Sequence, residues 1–301
     1  RYADDLNVYV GSKRAGEDVM QLLRRLFTGL RLKINESKSA VARPWGRKFL
    51  GFSFWRDPKT KKVKRSLAKK SVEETLLELK AAGLASLTGG GAEIFRKEVR
   101  HAIARGKESA EEYLDVHRTW HRLGGRSTCT MLFGHIEKLE DRVHHLSLLR
   151  ALQDETHGFT GFVPLPYQPE NNDIPVRVPP TGFDQLRTLA VSRLYLDNFD
   201  HITAYWVGMG LKLAQVALSY GADDLHGTIV EEHIFRMAGA KSPQLQTEAE
   251  MVKAIREVGR TPVQRNTFYE PVKEWPAQPP SNQSPTSRTA EQELSMTPAV
   301  T

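Results

Sequence analysis

The sequence predicts an α/β fold: a parallel sheet covered by helices, either open or closed into a barrel. Three observations carry that expectation. From about residue 70 onward, short apolar runs alternate with helical segments, the rhythm of βα units. Four helix starts pair a hydroxyl with an acid three places on: Ser71/Glu74, Ser109/Glu112, Thr181/Asp184 and Thr247/Glu250. The hydroxyl caps a free backbone N–H, and the acid answers back at the positive helix end. The richest glycine and polar clusters also follow the apolar runs, where the loops of a barrel build a site.

The elements follow in order. Residues 6–10 alternate, with Leu6, Val8 and Val10 on one face of an expected strand. Residues 17–30 place Val19, Leu22, Leu23, Leu26 and Leu30 near helical spacing, an amphipathic helix. Aromatic-rich residues 49–55, a turn at Asp57-Pro58-Lys59-Thr60 and residues 62–67 form a hairpin signal. Beyond residue 70 the apolar runs 84–87, 127–133, 159–165 and 202–207 are the expected sheet strands. From Glu274 the composition turns to Pro, Ser, Gln and Thr, so 274–301 are expected to be a disordered tail.

Charge divides the chain at the same place. Residues 1–70 hold 19 Lys and Arg against 6 Asp and Glu, whereas the remainder holds 24 against 30. All ten histidines lie in the second part. Such asymmetry points to a nucleic-acid-facing segment joined to one with a different partner, or to a solvated basic face. No apolar run reaches the length of a membrane span. A single cysteine, Cys129, excludes an internal disulfide framework and fits a reducing cytoplasm. The chain opens Arg1-Tyr2 without methionine or signal peptide, which points to a missing upstream part.

Two clusters carry chemistry. In the first, Tyr2-Ala3-Asp4-Asp5 places adjacent acids beside a strand. Their repulsion is relieved by a divalent cation bound to phosphates, and hard oxygen ligands suit Mg²⁺. With Leu32-Lys33-Ile34-Asn35-Glu36-Ser37-Lys38-Ser39 and Lys48-Phe49-Leu50-Gly51-Phe52-Ser53-Phe54, this order and spacing resemble group II intron reverse transcriptases and maturases. The resemblance covers residues 1 to about 70 and implies a small α+β fragment of a polymerase palm. It implies Asp4 and Asp5 as catalytic, Mg²⁺-binding acids, and Lys33, Lys38, Arg47 and Lys48 as phosphate contacts. The third metal-binding aspartate, the fingers and the thumb are absent. The expectation is a polymerase remnant that binds nucleic acid weakly through charge.

In the second cluster, Gly89-Gly90-Gly91-Ala92-Glu93 follows a strand; glycines permit close backbone approach and an acid can accept from ribose hydroxyls. The alternative is a plain turn. His135 and Glu137 are a candidate acid–base pair. His117 and His121 lie at i and i+4, but with Arg118 between them and no third ligand they read as packing or solvent-facing. Tyr167, Tyr205 and Trp206 line an aromatic pocket or the core.

These stretches acquire meaning together. Leu84-Ala85-Ser86-Leu87 with the glycine loop, Thr130-Met131-Leu132-Phe133-Gly134-His135-Ile136-Glu137 and Leu152-Gln153-Asp154-Glu155-Thr156 resemble the radical-SAM enzymes of futalosine-pathway menaquinone biosynthesis. So do Ser192-Arg193-Leu194-Tyr195-Leu196-Asp197-Asn198 and Gly221-Ala222-Asp223-Asp224-Leu225-His226-Gly227-Thr228. Ala204-Tyr205-Trp206-Val207 and Leu211-Lys212-Leu213-Ala214-Gln215 favour the aminofutalosine synthase branch. The resemblance implies the C-terminal part of a TIM-type barrel lacking its first strands, over residues 71–273. It implies S-adenosylmethionine and a [4Fe–4S] cluster as cofactors. The family reaction adds the 5′-deoxyadenosyl radical to the vinyl ether of 3-[(1-carboxyvinyl)oxy]benzoate, a small-molecule substrate. It implies Gly90, Gly91 and Glu93 at the cofactor, and His135, Glu137, Glu170 and Asn171 on the substrate side.

One departure decides the expected activity. The family holds its cluster on Cys-x-x-x-Cys-x-x-Cys, and this chain has Cys129 alone. One thiolate does not replace three. The chain as it stands is expected to be inactive in the family reaction.

Overall fold

The computed structural model describes residues 8–276, apart from 9, 31, 35, 37–38, 44–47, 50–51, 57–62, 68, 177, 230–231 and 244. The chain divides into two units, Arg1–Gly83 and Leu84–Thr301. Asp4 and Asp5, Lys38, Arg47, the 57–60 turn and nearly all of the expected tail lie outside the described residues.

In the first unit, helix α1 (Lys13–Gly29) starts at Ser12, whose hydroxyl accepts from the Ala15 N–H at 3.2 Å. Gly16 is buried because any Cβ there would meet Val41 Cγ1 at 2.6 Å. Leu22 and Leu26 stay exposed, as does Lys33. Arg24 clasps Glu36 through Nε and Nη2, at 3.0 and 2.7 Å. Strands β1 (Lys48–Phe49), β2 (Phe52–Arg56) and β3 (Val63–Leu67) form an antiparallel sheet, with Phe54 opposite Arg65. The antiparallel pairing of β2 with β3 is the one the runs 49–55 and 62–67 imply. Helix α2 (Lys69–Ala81) corrects one expectation: it starts two residues before Ser71, which therefore is not its cap. Lysine is a good helix former, and nothing at positions 69 and 70 stops the helix from extending backwards.

The second unit runs β4 (Ser86–Leu87), α3 (Lys97–Ile103), α4 (Ala110–Arg122), β5 (Arg126–Phe133), α5 (Leu139–Thr156) and β6 (Phe159–Pro166). It continues with α6 (Gly182–Tyr195), α7 (Trp206–Met209), α8 (Leu211–Ala217), α9 (Ile234–Met237), α10 (Glu248–Glu257), β7 (Val263–Arg265) and β8 (Pro271–Glu274). The strand order β4-β5-β6 is parallel throughout, as the alternating rhythm requires. Two more strand positions extend it as isolated parallel bridges, Phe162 to Ile202 and Thr203 to Asp224. The run 202–207 is therefore strand only at its start, because Trp206 opens α7.

Ser109 and Thr247 form reciprocal capping boxes with Glu112 and Glu250. Thr181 caps α6 by accepting from the Asp184 N–H, but the Asp184 carboxylate turns to Arg142 instead. Along β5 alternate residues are buried: Cys129, Met131 and Phe133 pack into one core with Leu146, Leu149 and Leu152 of α5. Thr128, Thr130 and Leu132 point to the other face of the sheet. Among the described residues no helix is long and apolar enough to cross a membrane.

Candidate functional site

Because β4, β5 and β6 are parallel, the loops after them emerge at one end of the sheet. The three sequence-predicted clusters occupy those loops. The first, after β4, is a built turn. A Cβ on Gly89 would sit 2.4 Å from the Cys129 Cα, so only glycine lets the loop cross β5 this closely. The Gly89 carbonyl accepts from Tyr113 Oη at 2.8 Å and from Thr130 Oγ1 at 2.7 Å, and its N–H donates to Thr128 Oγ1 at 3.0 Å. Sequence reasoning singled out Gly90 and Gly91 and passed over Gly89, although the threonines at 128 and 130 are the signal for it. Gly90 is exposed, and Gly91 adopts φ +96°, where a side chain would be strained. Arg100 locks the turn by donating to the carbonyls of Gly91 (2.9 Å) and Ala92, and to Glu108 (3.0 Å). Glu93 has φ +46°, and its half-buried carboxylate is paired to Lys107 at 2.5 Å.

After β5, His135 and Glu137 are brought together, with Nδ1 and Oε2 2.9 Å apart and both side chains fully buried. The Glu137 carboxylate also accepts from the N–H groups of Gly134 (2.6 Å) and His135 (2.8 Å) and from Arg142 Nε (2.8 Å). Burial alone favours its neutral acid. The His135 hydrogen bond and charge, the Gly134 N–H and the Arg142 charge outweigh that and hold it down to about 2. A carboxylate so surrounded is an anion that shapes its loop. Arg142 passes the contact on to Asp184 (3.0 Å) and Thr188 (2.9 Å) of α6.

After β6, Glu170 and Asn171 are exposed. Asn171 Nδ2 donates to the Met237 carbonyl at 2.9 Å, and Gly239 at φ +108° leaves room for Glu170. These two residues thus anchor the segment bearing α9 over the loop. Next to it lies a group the sequence did not assemble: Tyr205 packs edge-on against His226 and Phe235, with its hydroxyl 3.4 Å from Glu232. Burial and the Glu232 charge push the Tyr205 phenol upward. Trp206 and Tyr167 are core, with the Trp206 indole N–H on the Gly227 carbonyl at 2.9 Å.

His117 and His121 are buried and share one hydroxyl: Ser127 Oγ lies 2.8 Å from His117 Nδ1 and 2.7 Å from His121 Nε2. Among the described residues no group of three or more His, Cys, Asp or Glu is placed to hold a metal. Cys129 is fully buried in the core with the α5 leucines, and burial pushes its thiol well above its usual value. One protonated, core-facing thiol does not fit an iron–sulfur cluster.

A cavity of about 710 Å³ lies elsewhere, beside residues 221–228, α10 and β7, and none of the sequence-predicted site residues lines it.

Residues 156–278 match the family model for the CofH/MqnC C-terminal region. The chain is 49% identical over 213 residues to the aminodeoxyfutalosine synthase of Thermus thermophilus, covering 69% of this chain and 57% of that relative. It is 44% identical over 204 residues to the cyclic dehypoxanthine futalosine synthase of Streptomyces coelicolor, covering 68% and 51%. It is 45% identical over 212 residues to the 5-amino-6-(D-ribitylamino)uracil–L-tyrosine 4-hydroxyphenyl transferase of Methanopyrus kandleri, covering 69% and 58%. The chain spans a little over half the length of these relatives.

Proposed function

We propose that residues 71–273 are the C-terminal part of a radical-SAM aminodeoxyfutalosine synthase, keeping substrate-side loops but unable to run the reaction alone. The observation that carries this reading is the delivery of the glycine loop, the His135–Glu137 turn and residues 168–171 to one end of a parallel sheet. The 49% identity to the Thermus thermophilus synthase supports the choice of branch.

In this reading the exposed Gly90 and the left-handed Gly91 give the adenosyl end of S-adenosylmethionine a close approach, with Glu93 beside it. His135 and Glu137 set the wall facing the substrate, and Glu170 and Asn171 hold the covering segment. When bound, a [4Fe–4S] cluster would supply the electron that cleaves S-adenosylmethionine. This chain's lone, buried thiol does not hold one.

The test is anaerobic reconstitution with iron and sulfide, followed by incubation with S-adenosylmethionine and 3-[(1-carboxyvinyl)oxy]benzoate. The expected result is no cluster absorbance and no aminodeoxyfutalosine, with the Thermus enzyme turning over in parallel. A cluster with turnover overturns the reading. For residues 1–70 the motif order and the excess of 19 basic over 6 acidic residues support a palm remnant. There Asp4 and Asp5 would be its Mg²⁺ ligands. Single-stranded RNA binding that weakens steeply with added salt is the expected behaviour, and none at low salt removes it.

A further inference from the structure

We propose that residues 232–243, which carry α9, are a hinged lid over the end of the sheet where the strand loops gather. The identity of what the lid admits rests on the proposed function; the lid itself rests on geometry. Within the segment the bonds are short. The Phe235 N–H donates to Glu232 Oε1 at 2.7 Å, and the Met237 N–H to the His233 carbonyl at 2.8 Å. The Ala238 N–H meets the Ile234 carbonyl at 3.0 Å, and the Ala240 N–H the Phe235 carbonyl at 2.8 Å. These bonds make the segment one unit. Toward the body the contacts lengthen. The Asn171 N–H reaches the Ala238 carbonyl at 3.3 Å, while the Ser242 hydroxyl stands 3.4 Å from the Trp206 carbonyl and the Tyr205 hydroxyl 3.4 Å from Glu232. A hydroxyl bond of normal strength is about 2.5–3.0 Å long, so these latches are weak. Asn171 Nδ2, at 2.9 Å from the Met237 carbonyl, is the firmer one beside them.

The closed position is a fitted seat. A Cβ on Gly208 of α7 would lie 2.8 Å from Phe235 Cε1 and 3.0 Å from Pro166 Cγ of β6, so only glycine admits the ring there. Gly239 does the same from the lid side, where a Cβ would lie 2.5 Å from the Glu170 Cβ. The Phe235 ring also packs on Tyr205 at 5.3 Å. On the way into the lid, His226 and Gly227 are both left-handed, at φ +67° and +82°. A Cβ on Gly227 would meet nothing within 4 Å, so this turn can absorb a backbone rotation without a clash, as a hinge must. A self-bonded unit, seated by shape, held by long bonds and flanked by an unobstructed turn, opens at low cost. It rests on the loop after β6 and on residues 205–208, so opening uncovers Tyr205 and residues 168–171.

The experiment places spin labels on the full chain at Met237→Cys in the lid and Leu194→Cys on α6; both positions are exposed, while the buried Cys129 stays unlabelled. Pulsed electron resonance should give two label-to-label distances, one of them from the open lid. Gly208→Ala drives a methyl group against Phe235 and should enrich the open distance about threefold. Phe235→Ala removes the ring from its seat and should act the same way, and it carries the test if circular dichroism shows Gly208→Ala unfolded. A control pair, Leu194→Cys with Leu139→Cys on α5, should keep one distance throughout. A single lid distance that neither substitution changes overturns the proposal, and so does a control pair that moves with the lid pair. S-adenosylmethionine together with 3-[(1-carboxyvinyl)oxy]benzoate should enrich the closed distance about threefold. A lid that answers the substitutions but not these ligands stands, and it is then the proposed function that fails. An immobile lid on a chain that binds both ligands is the reverse.

Discussion

Glu137 is the residue whose charge is most tightly specified, and its consequences can be measured. Its fully buried carboxylate meets two backbone N–H groups, His135 and Arg142. Glu137→Gln removes the anion while leaving Arg142 part-buried and half-paired, a loss of about 3 kcal/mol in urea unfolding at neutral pH. The sign of its pH dependence follows from a folded value of about 2 against an ordinary 4.5. The stabilisation is complete above 4.5 and is lost as pH falls toward 2. The difference between wild type and Glu137→Gln should therefore stay constant from pH 7 to about 5, and a difference that shrinks there would contradict the assignment. Gly89 makes a second residue-scale prediction. Because a Cβ there would meet backbone at 2.4 Å, Gly89→Ala must displace β5 or the loop, at about 1–3 kcal/mol. By contrast Gly90→Ala, with its nearest neighbour 3.5 Å away, should be nearly neutral to stability. Equal costs at the two positions would refute the reading of the turn.

At the level of elements, local chemistry was legible in the sequence wherever one bond decides the outcome. Ser109 and Thr247 cap α4 and α10 with the reciprocal bonds their spacing implies. Ser71 has the same spacing to Glu74, yet it lies inside α2, because helix-forming lysines precede it. Ser109→Ala should cost about 1 kcal/mol, whereas Ser71→Ala should fall within about 0.5 kcal/mol, both read by thermal melts. What the sequence did not reveal depends on approach in space. The β7–β8 hairpin joins residues 263–274 to the start of the sheet: Arg265 grips Asp224 at 3.0 Å through two nitrogens and stacks on Tyr269. Tyr269 stacks in turn on His201, with its hydroxyl 2.5 Å from where a Gly161 side chain would begin. No periodicity in residues 263–274 signals that contact, and Gly161 reads as an ordinary strand glycine until Tyr269 is placed. The Tyr205–His226–Phe235 group was equally hidden, since its members come from three separate segments. Arg265→Leu would leave the Asp224 carboxylate, only a tenth exposed, without its cationic partner and with the Thr203 hydroxyl and His226 N–H as donors. A loss of about 3 kcal/mol is expected, and a loss under 1 would mean the hairpin is not held by this pair.

For the molecule as a whole, the strongest constraint on its stability is the set of histidines that the fold buries without charge. The sequence offered His117 and His121 as a pair on one helix face, and the fold turns both into the core around Ser127. His145 joins them, stacked on Phe95 at 3.9 Å with Nε2 on the Thr130 carbonyl. Burial is the main cause of depression in each, reinforced at His117 by His121 and at His121 by Arg126. The values fall from 6.5 to about 3 for His117, about 4 for His121 and about 3 for His145. Unfolding returns all three to water, where they take up protons below 6.5. The unfolded state thus binds more protons between roughly pH 6.5 and 4, and stability falls as pH falls through that range. With three groups the limiting slope is about 4 kcal/mol per pH unit, and by pH 5 the accumulated loss approaches 6 kcal/mol. A domain of ordinary stability, about 5–15 kcal/mol, has little left after that. Urea midpoints should accordingly drop steeply between pH 7 and 5, well above the window set by Glu137. The double variant His117→Asn/His121→Asn, less stable at neutral pH, should show a clearly shallower slope than wild type, because only His145 and the less depressed His226 remain. A slope unchanged by that double substitution would place the proton uptake elsewhere and break the link between the buried network and acid sensitivity.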